Sequence, residues 1–235
     1  MPVTINHTRI VVSFDLCSSS QIMEDLLLSE KFDRYETFLT CIKRWLMNWT
    51  NTHSPDNGRF ELYNFTGDGW ILLFPATTRA KALVESMLSL CEMISAELAR
   101  HIIPSLSSMP SVLGATMGVE EGKLIRMTMN ERDEYVGRAL NIACRLQNAV
   151  KEREPRSDCY RALVSASLYN DRLAQLSLPF KVEPTTCSLR NILSGGAFAC
   201  RKIDFTIDHA GQALPWPEHH AAGGTCARSN WGNPP

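Results

Sequence analysis

The sequence has no excess of positive charge, no long apolar run and no paired cysteine motif, and each absence removes a class of function. Among 235 residues, 24 Lys and Arg stand against 25 Asp and Glu, a formal net charge of −1. That balance gives no basic footprint for duplex nucleic acid and no polybasic membrane patch. A small anionic ligand needs only a local positive site. No stretch approaches the roughly 18 apolar residues of a membrane span. The opening MPVTINHTRI has no basic segment followed by an apolar core. A cytoplasmic protein is expected, with neither nucleic acid nor membrane as partner. The eight cysteines (Cys17, Cys41, Cys91, Cys144, Cys159, Cys187, Cys200, Cys226) include no CxxC pair. Several fall within apolar helical or strand patterns, so buried free thiols are expected rather than disulfides. His219, His220 and Cys226 lie in a Gly- and Pro-containing tail without zinc-ligand spacing.

The 44% of hydrophobic and 21% of charged residues are enough for one compact core. One domain is expected over residues 1–207, followed by a tail, 208–235, whose composition suits flexibility or ordering by a partner. There is no internal repeat. RIVVSFD (9–15) reads as a strand ending on a carboxylate, followed by LCSSSQ, where Ser18 and Gln21 have capping-box spacing before a helix. From Phe32, the recurrence of Tyr35, Phe38, Ile42, Trp45 and Trp49 predicts a long amphipathic helix. RFELYNFTGDGWILLFP reads as a hairpin whose turn, Thr66 to Gly69, displays Asp68.

A second core helix is predicted over 79–102, and strand, Gly-containing turn, strand over 112–127. A third helix is predicted over 137–152, with Asn141 and Arg145 four apart on one face. A strand at 162–165, a short helix near 166–175 and two late strands, FKVEP and CRKIDF, complete the pattern. Helices alternating with strands and hairpins predict an α+β sandwich with its helices on one sheet face.

Two carboxylates stand out. Asp15 at a strand end and Asp68 in a turn are each held by apolar β sequence. If their strands are neighbours, both can hold one pair of hard cations, and oxygen-only ligation selects Mg²⁺ or Mn²⁺. The loop from Leu16 through Cys17, Ser18 and Ser19 to Ser20, opening a helix, offers backbone N–H groups to phosphate oxygens without a Walker motif. For either Asp alone an ordinary strand end or turn residue is the better reading, and only the combination with residues 137–152 favours a metal site.

Taken in order, FDLCSS resembles the first metal-binding segment of the class III adenylyl and guanylyl cyclases. NFTGDGWILLF resembles their second, and EYVGRALNIACRLQNA their transition-state helix. GVEEGKL is similar to the family's Gly-containing hairpin. The likeness spans about residues 9–150, and more loosely runs to about 205. It implies a ferredoxin-like antiparallel sheet packed with helices, in a head-to-tail homodimer with two interfacial sites. Each site would join Asp15, Leu16 and Asp68 of one subunit, as ligands of two Mg²⁺ or Mn²⁺ ions, to Asn141 and Arg145 of the other. By the same resemblance, Asn141 orients the ribose, Arg145 stabilises charge on the α-phosphate, and Arg190 is the nearest candidate for holding the terminal phosphates.

The likeness breaks at the base. Where the adenylyl cyclases carry a Lys and an Asp or Thr, this chain has Asn64 and Glu134. The Glu/Cys pair of guanine-specific members is missing too. Asn64 donates or accepts and an ionised Glu134 only accepts, so the pair suits uracil N3–H and a carbonyl, or the amine of cytosine or adenine. The bare catalytic domain is similar to the stand-alone pyrimidine cyclases of bacterial Pycsar antiphage defence. Those relatives make cyclic UMP or cyclic CMP, so the similarity implies a pyrimidine substrate, UTP first, and a separate cyclic-nucleotide-sensing effector. CTP, or ATP in an ordinary adenylate cyclase, is the alternative substrate, and a cyclase-like dimerisation module without turnover is the non-enzyme alternative.

Overall fold

The structure is a computed structural model that describes residues 6–129, 131–151, 158–189 and 197–207. At its centre lies β1 (Asn6–Leu16), whose residues from Ile10 to Phe14 are all buried. A strand covered on both faces needs a continuous apolar run rather than an alternating one, and VVSF with Ile10 supplies it. Seven further strands join it: β2 (Glu61–Phe65), β3 (Gly69–Pro75), β4 (Leu113–Met129), β5 (Arg132–Val136), β6 (Asp158–Ser165), β7 (Lys181–Ser188) and β8 (Ala197–Asp204). The order is β2-β3-β1-β4-β6-β8-β7, with β5 paired to the far end of β4. Among the described residues only β4 and β6 run parallel; the other pairings are antiparallel.

The period of two along β1 divides the core. Ile10, Val12 and Phe14 pack with α1 (Ser19–Leu28), α2 (Phe32–Thr52) and α3 (Ala80–Glu97). Val11 faces the other way, into a cluster with Leu124, Tyr135, Ala139 and Ala143 beneath α4 (Arg138–Lys151). Helices therefore cover both faces of the sheet, not one as the sequence pattern suggested. A parallel pair cannot be joined by a tight turn. The β4–β6 connection contains α4, which lies on the face left open by the other three helices.

The 112–127 segment departs from its predicted strand–turn–strand form. Its residues from Leu113 onward belong to one strand of 17 residues, and the antiparallel partner β5 begins only at Arg132. The segment's glycines make close packing, not a turn. A Cβ on Gly118 would meet the Ala143 carbonyl oxygen at 1.9 Å, and one on Gly122 would meet the Ala139 Cβ at 3.1 Å. They let α4 lie directly on the strand.

On α2 the buried stripe is Tyr35, Phe38, Ile42 and Leu46, while Trp45 and Trp49 pack half-buried beside it. Trp49 is pinned by its indole N–H, which donates to Gly58 O at 3.1 Å, and by stacking on His53. Seven of the eight cysteines fall among the described residues, and all seven are free thiols. No helix among the described residues is long and apolar enough to cross a membrane. The tail 208–235, with His219, His220 and Cys226, lies outside the described residues, as does Arg190.

Candidate active site

The antiparallel register of β1 on β3 sets Asp15 opposite Gly69, so Asp15 and Asp68 come to the same end of neighbouring strands. Gly67 turns the intervening hairpin at φ +107°, a region that favours glycine. Thr66 N–H closes the turn on Gly69 O at 2.9 Å. Gly69 runs so near β1 that a Cβ there would meet Phe14 O at 2.0 Å. The two glycines flanking Asp68 thus let its strand press against the strand that carries Asp15.

Each carboxylate has a neutral polar neighbour: Gln147, which the sequence pattern does not single out, and Ser19, expected there only as part of the phosphate loop. Gln147, on the sheet-facing side of α4, donates its amide to Asp15 Oδ2 at 3.3 Å and to Thr116 Oγ1 at 2.9 Å. Asp15, Thr116 and Gln147 are all buried. Ser19, the first residue of α1, donates its hydroxyl to Asp68 Oδ2. Tyr35 stands near the same charge. Burial and then the Asp68 carboxylate push its phenol up to about 12, and its buried hydroxyl has no hydrogen-bond partner among the described residues.

The loop between β1 and α1 differs in detail from the predicted phosphate cradle. Leu16 N–H is spent on Asp68 O at 3.3 Å and Cys17 N–H on Gly114 O at 3.0 Å. Ser18 does stand at the N-cap, but in the left-handed region at φ 56°, and its hydroxyl donates to Val112 O at 2.7 Å. The capping box is not made. The amides of Ser19, Ser20 and Gln21 remain as the first-turn donors that an α-helix leaves without intrahelical acceptors. Cys17 is buried beside Cys159, and its thiol is pushed up by a hydrogen bond to that neighbour and by desolvation.

Asn141 and Arg145 share one face of α4, as their spacing predicts, but not the face that carries Gln147. At 3.6 residues per turn, Arg145 and Gln147 project about 200° apart. Asn141 is exposed, with its amide 3.4 Å from Gly137 O. Arg145 is half-buried, and its Nη1 is buried without a hydrogen-bond partner among the described residues. Within one chain, then, the fold gathers Asp15 and Asp68 and turns Asn141 and Arg145 elsewhere.

The two base-reading candidates also occupy different surroundings. Asn64, after an irregularity in β2, lines a cleft of about 390 Å³ with Phe65, Trp70 and the α2 residues Glu36, Leu39 and Lys43. Glu134, on β5, accepts a hydrogen bond from Tyr63 OH at 2.7 Å. Tyr135 returns the contact, donating its hydroxyl to Glu61 at 2.9 Å. This crossed pair of Tyr–Glu bonds ties β5 to β2, and its short, charged strand sequence gave no warning of it.

Beyond Thr116, the register continues the polar row to Arg161 on β6 and Asp204 on β8. Arg161 is 4% exposed and its Nε meets Asp204 at 2.8 Å. It is the basic residue that the strand register brings into line with Asp15.

The donor set around Asp15 suits hard divalent cations. Two carboxylates and the Leu16 carbonyl at one strand end offer only oxygen, the ligand type that Mg²⁺ and Mn²⁺ prefer. No family model and no curated protein matches the sequence. Solved structures do match. The guanylyl cyclase Cya2 superposes with a TM-score of 0.64 at 13% identity, covering 86% of this chain and 94% of that one. The adenylyl cyclase CyaB from P. aeruginosa gives 0.61 at 16% identity, over 85% and 95%. An adenylate cyclase from Trypanosoma brucei, solved in its monomeric state, gives 0.55 at 12% identity, over 84% and 88%. The chain has the fold of the class III nucleotide cyclase catalytic domains.

Proposed function

We propose that the chain is a nucleotide cyclase, turning a nucleoside triphosphate into a 3′,5′-cyclic nucleotide and pyrophosphate. The observation that carries this reading is the β1–β3 register, which brings Asp15 and Asp68 to one strand end beside the first turn of α1. The reaction forms one O3′–Pα bond and breaks the bond from Pα to the oxygen bridging the β-phosphate. Pyrophosphate departs and the 3′-hydroxyl proton goes to solvent. Asp15, Asp68 and the Leu16 carbonyl would hold two Mg²⁺ or Mn²⁺ ions, which when bound acidify the attacking hydroxyl and neutralise phosphate charge.

The chain's own groups do the rest. Gln147 and Ser19 fix the carboxylates, and the first amides of α1 receive phosphate oxygens at the positive end of the helix. Arg145 is the donor for charge growing on the α-phosphate, and its unpartnered Nη1 fits a group that waits for an acceptor. Asn141, one turn earlier, orients the ribose. Both point away from the carboxylates of their own chain, which supports a head-to-tail homodimer in which each subunit completes the other's site.

UTP is the favoured substrate, ahead of CTP and ATP. With Oε2 taken by Tyr63, Glu134 keeps a second oxygen as acceptor for uracil N3–H, while Asn64 lines a different cleft. Cyclic UMP would act through a separate effector in antiphage defence. Incubating the purified protein with each of the four nucleoside triphosphates and Mn²⁺, and resolving products by mass spectrometry, tests both levels. Cyclic UMP is expected, and its formation should be lost in Asp68→Ala. Predominant cyclic AMP would remove the pyrimidine assignment, and the absence of any cyclic nucleotide would remove the cyclase itself.

A further inference from the structure

On the sheet face opposite α4, α3 runs into a π-helical turn, Leu98–Ile102, that packs against α2. There the Sγ of Cys41, the carboxylate of Glu97 and the imidazole of His101 converge, their ligand atoms all within 4.8 Å of one another. All three residues are half-buried. Glu97 Oε2 is buried, His101 Nε2 lies 3.1 Å from it, and the Cys41 thiol hydrogen-bonds the same carboxylate. The three groups hold one another through protons that a divalent cation would displace on binding. The other oxygen, Oε1, already receives the exposed Arg100 guanidinium at 3.3 Å.

We propose that Cys41, Glu97 and His101 form a binding site for a borderline-soft divalent cation, with Zn²⁺ the best fit. Thiolate, imidazole and carboxylate together are a zinc donor set, unlike the oxygen-only set at Asp15 and Asp68. Three protein ligands leave a fourth tetrahedral position to water. Glu97 and His101 stand at i and i+4 on one helical segment, and Cys41 comes from the neighbouring helix, so a bound ion ties α2 to the end of α3. A π-turn at this point is in keeping with a specialised site. Arg44, whose charge reaches Cys41, and Arg100 are the cationic groups facing the cluster. Arg100 is 69% exposed and binds the oxygen that a metal on Oε2 does not use.

Co²⁺ is the probe for the full chain, because a cysteine thiolate bound to it gives a near-ultraviolet charge-transfer band. That band is expected in the wild type, should be displaced by Zn²⁺, and should disappear in Cys41→Ser. It should persist when His219→Ala, His220→Ala and Cys226→Ser are combined, which separates this site from the tail. Glu97→Gln and His101→Gln should each weaken Zn²⁺ binding by about tenfold or more. In the unmutated chain, Zn²⁺ should slow alkylation of Cys41 more than that of Cys144, the other half-buried thiol among the described residues, as read by peptide mass spectrometry. A band that survives Cys41→Ser or is lost with the tail substitutions would overturn the assignment. Equal alkylation of Cys41 with and without Zn²⁺ would do the same.

Discussion

Replacing Gly118 by alanine should uncouple the helix that carries Asn141 and Arg145 from the strands that carry the carboxylates. The added methyl would lie 1.9 Å from Ala143 O and 2.4 Å from Gln147 N. Both are helix backbone and neither can swing aside. Real Cβ contacts essentially never fall below 3.0 Å, so α4 and β4 must part by at least 3.0 − 1.9 = 1.1 Å. Overpacking of this kind costs roughly 1–3 kcal/mol. For a domain of this size, that lowers Tm by roughly 2–12 °C. The same displacement carries Gln147 away from Asp15, a bond already 3.3 Å long, and moves Asn141 and Arg145 by a comparable distance. Misplacement of about 1 Å costs on the order of 100-fold in turnover. Cyclic-nucleotide production and thermal unfolding of Gly118→Ala are the assays, with Gly122→Ala as the comparison. At Gly122 the new methyl meets only the Ala139 Cβ, at 3.1 Å, so most of the activity and stability should remain. Wild-type Tm and turnover in Gly118→Ala, or a larger loss in Gly122→Ala, would refute the reasoning.

Gln147→Leu should leave Asp15 Oδ2 and Thr116 Oγ1 without their buried amide donor, costing about 1–3 kcal/mol in denaturant unfolding and lowering turnover. Asp15→Ala and Arg145→Ala should each be inactive alone, whereas a mixture allowed to exchange subunits should regain activity from one composite site per heterodimer. A mixture that stays dead despite exchange would exclude the shared site. Glu120 is buried, and desolvation raises its carboxyl above 4.5 even though Ser165 Oγ and Glu121 N–H donate to it at 2.9 Å. Because the native state holds this proton more tightly than the unfolded chain, stability from this group is complete below about pH 4.5 and is lost as pH rises through the raised value. Glu120→Gln keeps an oxygen to accept both bonds, so it should raise Tm at pH 7 and match the wild type below that range.

Local signals carried the sequence reading wherever a residue's neighbours in the chain are also its neighbours in space. The apolar run ending at Asp15 and the Gly67–Gly69 turn announced two strand ends, and the register sets Asp15 opposite Gly69 on the neighbouring strand. The face shared by Asn141 and Arg145 followed from helical spacing alone. Gly118 and Gly122 misled because their meaning depends on a helix some twenty residues later, and in isolation a glycine between β-type runs reads as a turn. Gln147 was passed over for a similar reason: its partners, Asp15 and Thr116, are far away in sequence and become adjacent only through β1–β4 pairing. β5 is short, and its sequence, RDEYV, is mostly charged, so only its pairing with β4 and the Tyr63–Glu134 contact identify it as a strand. The distribution of helices over two faces likewise depended on the parallel β4–β6 pair, which no single segment announces.

The position of β1 between β3 and β4 also sets a timetable for synthesis. Its β3 partner is complete by Pro75, and α1 to α3, complete by Glu97, can cover the Ile10–Val12–Phe14 face. The opposite face, with Val11, is covered only by α4, complete at Lys151, and the second edge of β1 stays unpaired until β4 has been made. From residue 97 to residue 151 the ribosome takes roughly 3–11 s at about 5–20 residues per second. Throughout that window the Val11 face of β1 is bare, and until β4 is complete at Met129 the strand also has an open edge, the form in which strands pair with foreign chains. The same sandwiching that fixes Asp15 so firmly in the finished protein makes the half-made one dependent on shielding until α4 emerges.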